Sequence, residues 1–142
     1  MSHKGTGAGD TVWGKTYIEV DISQQHMWLI QNGAVTFETD VVTGAPHMST
    51  PTGIFNVLEK RRDKTLRGKP LPNGKPSYLV PVKYWVRVTW SGIGFHDSSS
   101  RTAFGGEIYK SNGSHGCINM PPSKVPSFYS KVSVGTPILI HY

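Results

Sequence analysis

Asn32-Gly33 separates two runs of strand-favouring residues, His26 to Ile30 and Ala34 to Thr43. A two-residue Asn-Gly link is the strongest short-range hairpin signal, because both residues tolerate the positive φ that a type I′ turn demands. This part of the chain is therefore committed to antiparallel β-structure. Tyr17 to Ile22 alternates weakly in polarity and reads as a strand ahead of the hairpin. Gly44 to Gly53 reads as a loop, since Pro46, Pro51 and Gly53 interrupt any regular element. Further strands are predicted at Ile54 to Leu58, at Tyr78 to Val88, which reads as the central sheet, and at Thr136 to Tyr142. His96 is expected where the strand running through Gly92 and Gly94 ends. Trp85 and Trp90 are assigned to the core on the burial habit of large aromatics.

One helical face is legible. Val125, Phe128, Tyr129 and Val132 fall at i, i+3, i+4 and i+7, with Ser123 as the expected N-cap and Pro126 in the first turn, where a missing N–H costs nothing. With 16 Gly and 10 Pro in 142 residues, many turns are implied, and the fold class is read as mainly β. A chain of this length suits one domain that buries roughly 68–70% of its unfolded surface. The Gly-rich lead after Met1-Ser2-His3 reads as a tag or linker remnant on an excised domain, over residues 1–12, with the domain over 13–142 and its fold beginning near Trp13. No apolar run reaches the roughly 18 residues needed to cross a bilayer.

Charge is unevenly spread. Residues 59–76 hold seven of the fifteen basic side chains against Glu59 and Asp63, which is +5 of the net +6. The segment reads as one cationic loop on a nearly neutral domain, either a solvated flap or a cover that attracts an anionic polymer. Nucleic acid is not the expected partner, because no aromatic is interleaved with the charges before Tyr78.

The chemistry concentrates between Phe95 and Met120, which contains Cys117, the sole cysteine, together with His96 and His115. A single cysteine cannot form an internal disulfide, so Cys117 is an inert thiol, a metal ligand or a nucleophile. It follows the polar turn Ser114-His115-Gly116 rather than sitting in an apolar run. A thiol attacks as the thiolate and needs a proton acceptor, its free pKa being about 8.5, and histidine suits that task near neutrality. His96 is ranked as the base and His115 as a supporting residue. If Ser114 to Asn119 is extended, His115 and Cys117 share a face; if the turn is tight, they diverge. Gly116 lets the backbone approach a substrate, and the amides of Gly116 and Cys117 are the expected donors to a developing oxyanion. Tyr78 and Asn119 are candidates for holding substrate, from position only.

His96, followed after a spacer by Ser114-His115-Gly116-Cys117-Ile118-Asn119, resembles the pattern of the L,D-transpeptidase (YkuD-type) catalytic domain. Ser49-Thr50-Pro51-Thr52-Gly53-Ile54-Phe55 and the closing Gly135 to Ile140 are similar to other segments of that family, so the resemblance covers about residues 15–142. It implies a β-sandwich of mixed sheets with one short helix after the catalytic Cys117. It also implies Cys117 as nucleophile, His96 as general base, Ser114 and His115 as supporting polar residues, and the carbonyl of Asp97 as the partner that orients the base. The carboxylate of Asp97 departs from the small residue often found there, and either holds His96 protonated or turns to solvent. The implied activity is peptidoglycan cross-linking. A tetrapeptide-stem donor passes through a thioester to the side-chain amine, or a branch residue on it, of a neighbouring stem, giving a 3→3 link, and water as acceptor would make an L,D-carboxypeptidase. The implied partners are the two stem peptides and, as covalent inhibitors, carbapenem β-lactams; the implied setting is extracytoplasmic, and no cofactor is needed.

Two readings of other classes stand beside this one. The first is a zinc site built from His96, His115 and Cys117, a chemically acceptable ligand set lacking the usual fourth member. The second is a non-catalytic wall-binding module. His3, His26, His47 and His141 have no partner at metal-ligand spacing and read as surface or packing residues.

Overall fold

The computed structural model describes residues 16–142. The expectations for residues 1–12 and for a start at Trp13 lie outside them. Among these described residues nine strands form two mixed sheets. The first has the order β3-β2-β1-β9-β4, built from β1 (Tyr17–Asp21), β2 (His26–Gln31), β3 (Ala34–Asp40), β4 (Gly53–Asn56) and β9 (Pro137–His141). The second has the order β5-β6-β7-β8, built from β5 (Glu59–Arg67), β6 (Leu79–Arg87), β7 (Gly94–Asp97) and β8 (Ile118–Met120). Among the described strands only β1–β9 and β7–β8 are parallel pairs.

Alternation along the strands produces the core. Ile18 and Val20 of β1, Met27 and Leu29 of β2, and Ile138 and Ile140 of β9 meet Val86, Phe95, Ile118 and Met120 of the other sheet in one buried cluster. The Asn32-Gly33 turn has φ 53° and 80°, the double positive φ that the hairpin signal requires. The predicted helix is present as α2 (Val125–Lys131; α1 is described below), and it buries Val125 and Phe128 against the sheets.

Several expectations are corrected. β3 ends at Asp40, not Thr43: from there the chain leaves its sheet, and Val42 exchanges backbone hydrogen bonds with Asn119 of the second sheet. Residues 59–67 are not a loop but strand β5, paired from Glu59↔Arg87 to Arg67↔Leu79, and only the remainder up to Pro76 turns. Charge concealed this strand because its side chains are largely solvent-exposed, so little apolar alternation was needed. A short helix α1 (Ile108–Asn112) was missed; it buries no residue and so leaves no periodic signature. Ser123 is not the N-cap of α2. The Pro121–Lys124 turn, closed by the Lys124 amide on the Pro121 carbonyl, moves that position to Lys124, which makes no side-chain cap. Trp85 is buried as expected, but Trp90 is 71% exposed at the tip of the Thr89–Gly92 turn, with the Arg87 guanidinium 5.3 Å from its ring.

Candidate active site

The parallel register of β7 and β8 brings the two chemically important side chains to one face. His96 lies opposite Asn119 and Phe95 opposite Ile118. Since strand side chains alternate, Phe95 and Ile118 point into the core, while His96, Asn119 and Cys117, two residues before Asn119, point the other way. A cavity of about 400 Å³ opens there, and His96, Ser114, His115, Cys117, Asn119 and Tyr78 all line it. A second cavity, of about 290 Å³, meets it at Cys117 and runs under the basic β5–β6 hairpin. That hairpin contributes Leu66 to both cavities and Val80 to the first.

The turn before Cys117 is tied down from inside and from below. Ser114 Oγ donates to the Cys117 carbonyl at 2.5 Å and accepts the Gly116 amide at 3.1 Å. Thr50 Oγ1 donates to the Gly116 carbonyl at 2.6 Å and accepts the Gly44 amide at 2.9 Å. Ser114 itself exchanges backbone hydrogen bonds with Thr43 and Ala45. Gly116 has φ +120°, and a Cβ there would stand 2.7 Å from Ile93 Cδ1, so only glycine fits. Its N–H is committed to Ser114, which corrects the expectation that this amide faces an oxyanion. The turn is the tight alternative, and His115 and Cys117 both line the same cavity. His115 is exposed and stacks on Tyr78 with ring centroids 4.5 Å apart.

His96 is buried, and its Nδ1 sits 2.7 Å from the Asp97 carbonyl oxygen. A carbonyl only accepts, so Nδ1 carries the proton and Nε2 keeps its lone pair. Burial lowers the proton affinity of His96, and the Arg101 charge adds to that; the bond to the Asp97 carbonyl and the Asp97 charge oppose without prevailing. The Asp97 carboxylate adopts neither expected arrangement. It turns to β6 and accepts the amides of Lys83 and Tyr84, each at 2.9 Å, and it does not line the cavity that holds Cys117.

Cys117 is half-buried, and its thiol donates to the Gly92 carbonyl at 3.5 Å. Burial pushes its pKa up to about 11, against a hydrogen bond from the Gly94 amide and the charge of Arg87. Thiol and imidazole are therefore both neutral at rest.

Among the described residues no group of three His, Cys, Asp or Glu side chains is arranged to hold a metal ion, and this includes the trio His96, His115 and Cys117. His26 instead bonds Asp40 and Glu38, and His141 bonds Glu19 at 2.7 Å. Two residues that shape the site had no role assigned from sequence. Thr50 sits in a segment singled out only for its family likeness, with nothing local to say that its hydroxyl reaches a glycine 66 positions away. Arg101 lines the cavity with His96, though it sits in a polar loop without periodicity.

Residues 15–140 match the family model described as the L,D-transpeptidase catalytic domain, YkuD. Over 139 residues the chain is 34% identical to L,D-transpeptidase 1 of Mycobacterium tuberculosis, covering 95% of this chain and 52% of that protein; the chain thus spans about half the length of that relative. The structure of the Ldtfm–avibactam carbamoyl enzyme superposes with a TM-score of 0.84 at 47% identity, covering 90% of this chain and 49% of that one. The catalytic domain of the Enterococcus faecium L,D-transpeptidase acylated by ertapenem superposes with a TM-score of 0.77 at 46% identity, covering 89% and 97% of the two chains. No helix among the described residues is long and apolar enough to cross a membrane.

Proposed function

The chain belongs to the YkuD family of L,D-transpeptidase catalytic domains, and on that premise we propose that it forms 3→3 peptidoglycan cross-links by ping-pong acyl transfer through Cys117. The thiol proton passes to His96 Nε2 as the sulfur attacks the carbonyl of the diamino acid in a tetrapeptide stem. The tetrahedral oxyanion is held by backbone N–H groups, among them that of Cys117, since the Gly116 amide is used within the turn. The C–N bond then breaks, His96 returns the proton to the departing amine of D-Ala, and a thioester remains. The side-chain amine of a second stem attacks that thioester, giving its proton to His96, and the sulfur leaves with a proton returned.

The observation that carries this reading is the one cavity lined by both His96 of β7 and Cys117, the residue just before β8, with the imidazole locked by the Asp97 carbonyl so that its free lone pair is Nε2. Ser114 shapes the nucleophile's turn, and His115 with Tyr78 and Asn119 forms the wall on which a stem lies. Carbapenem β-lactams are the expected covalent inhibitors at Cys117, and the substrate places the enzyme outside the cytoplasmic membrane. Mass spectrometry of products from a defined tetrapeptide donor, with and without an acceptor amine, tests the proposal. A cross-linked dimer is expected, and Cys117→Ala is expected to abolish it together with the acyl-enzyme mass. Release of D-Ala without any dimer would make water the acceptor and the enzyme an L,D-carboxypeptidase. Acylation that survives in Cys117→Ala would remove the assignment, and binding without turnover in the unaltered protein would leave a wall-binding module.

A further inference from the structure

Arg101 brings a positive charge to the cavity of His96 and Cys117 without a counter-ion. Its Nη1 donates to the Asn112 carbonyl at 2.7 Å, which occupies one of its five N–H groups. Among the described residues no carboxylate forms an ion pair with it. Asp97, the nearest acid in the chain, is turned to the amides of Lys83 and Tyr84, and Glu107 is paired with Lys110. Arg101 is only partly exposed, and its charge is felt at the His96 ring. A partly buried, unpaired guanidinium on a cavity wall is a costly arrangement in the empty protein and a strong anion site in the occupied one.

The chemistry of the reaction decides which anion. His96 must hand its proton to the departing amine, so the departing residue lies on the His96 side of Cys117, in the cavity that Arg101 lines and not in the one under the β5–β6 hairpin. One residue of chain spans about 3.8 Å, so the group following that amine reaches only the near wall of this cavity. The same cavity contains Asn119, whose buried amide oxygen has no hydrogen-bond partner. A cation and an unused acceptor are the two groups needed to hold the carboxylate and the N–H of a terminal amino-acid residue.

We propose that Arg101 binds the free terminal carboxylate of the donor's departing residue, and so selects stems that end one residue beyond the bond to be cut. The direction of the bound chain rests on the acyl-transfer reading above; the presence of a carboxylate site does not.

The test measures binding in the Cys117→Ala protein, where no turnover interferes. Two probes are titrated calorimetrically: a tetrapeptide stem ending in L-Lys-D-Ala with its terminal carboxylate free, and the same peptide as the terminal carboxamide. The acid is expected to bind at least about tenfold more tightly, as a charge-assisted pair does. Arg101→Gln, which keeps a donor for the Asn112 carbonyl, should reduce that ratio to near one, and Arg101→Lys should restore part of it. Because each ratio compares two ligands on one protein, a general loosening of the fold does not mimic the result. Equal affinity for acid and amide with Arg101 in place, or an unchanged ratio in Arg101→Gln, overturns the proposal. An acid preference in a protein whose unaltered form makes no acyl-enzyme would sink acyl transfer and leave the carboxylate site standing.

Discussion

His96 Nδ1 lies 2.7 Å from the carbonyl oxygen of Asp97, while the carboxylate of the same Asp97 is turned away to take two amides of β6. One residue thus sets the tautomer of its neighbour with its backbone and clamps an adjacent strand with its side chain. The carbonyl at Nδ1 and the Asp97 charge draw the imidazole toward the imidazolium, and burial outweighs them. Burial then keeps it neutral, and keeps the thiol neutral with it.

The pH dependence of Cys117 alkylation follows. With a thiol pKa of about 11, the thiolate fraction at pH 7 is about one part in ten thousand. The rate with iodoacetamide should rise about tenfold per pH unit from pH 7 towards 10, with no plateau near neutrality. A stop-flow or mass-spectrometric pH profile checks it. A plateau between pH 5 and 8 would reveal a preformed thiolate–imidazolium pair.

Replacing Asp97 should separate its two tasks. Asp97→Ala removes the acceptor for the Lys83 and Tyr84 amides and should cost about 1–3 kcal/mol in denaturant unfolding. It leaves the backbone carbonyl that orients His96, so carbapenem acylation of the folded variant should stay within about tenfold of the parent. A loss of several hundredfold without unfolding would assign the carboxylate to the reaction.

Thr50 and Gly116 are expected to behave as one unit. Thr50→Val is nearly isosteric but strands the Gly116 carbonyl and the Gly44 amide, at a cost of about 1–3 kcal/mol. Gly116→Ala adds backbone strain of about 1–3 kcal/mol at φ +120° and a clash with Ile93. Both variants should acylate slowly, and trimming the obstacle with Ile93→Ala should not rescue Gly116→Ala, because the φ penalty remains. Melting curves and acylation rates of the three variants test this, and full rescue would show that space alone excludes a side chain.

A pH effect on stability is expected far from the site. Burial lowers the pKa of His141, but the Tyr142 carbonyl, the bond to Glu19 and the charges of Glu19 and Asp21 outweigh it and raise the value. A raised folded value means that this pair stabilises most below the unfolded pKa of about 6.5, and that the stabilisation is lost as pH rises through the folded value. Glu19→Gln should therefore be less stable than the parent by about 1–2 kcal/mol at pH 6, the two converging above the folded pKa. His96 acts in the opposite sense. Its lowered pKa means that the unfolded chain takes up a proton first as pH falls below about 6.5, so in Glu19→Gln stability should rise from pH 5 to 7. Denaturant midpoints across pH 5 to 9 check both signs.

The hairpin at Asn32-Gly33, the apolar face of α2 and the grouping of His96 with Ser114 to Asn119 could all be read along the chain, because turn chemistry, helical period and a thiol's need for a proton acceptor are local. Strand β5 could not be read, since its charged side chains look the same on an exposed strand as in a loop. Trp90 was placed in the core for its size, although a four-residue turn holds it in solvent.

By itself the sequence determined that the fold is mainly β and that Cys117 stands in a polar turn within one segment with His96 and His115, for those properties belong to residue types and to spacings of a few positions. Only the tertiary structure decided that the Gly116 amide is spent inside its own turn, that Thr50 supports that turn from across the chain, that Asp97 faces β6, and that Arg101 stands uncompensated beside His96. Each of these depends on where a hydrogen-bonding or charged group finds its partner, and partners distant in sequence are assigned by strand register and packing, which no local pattern encodes.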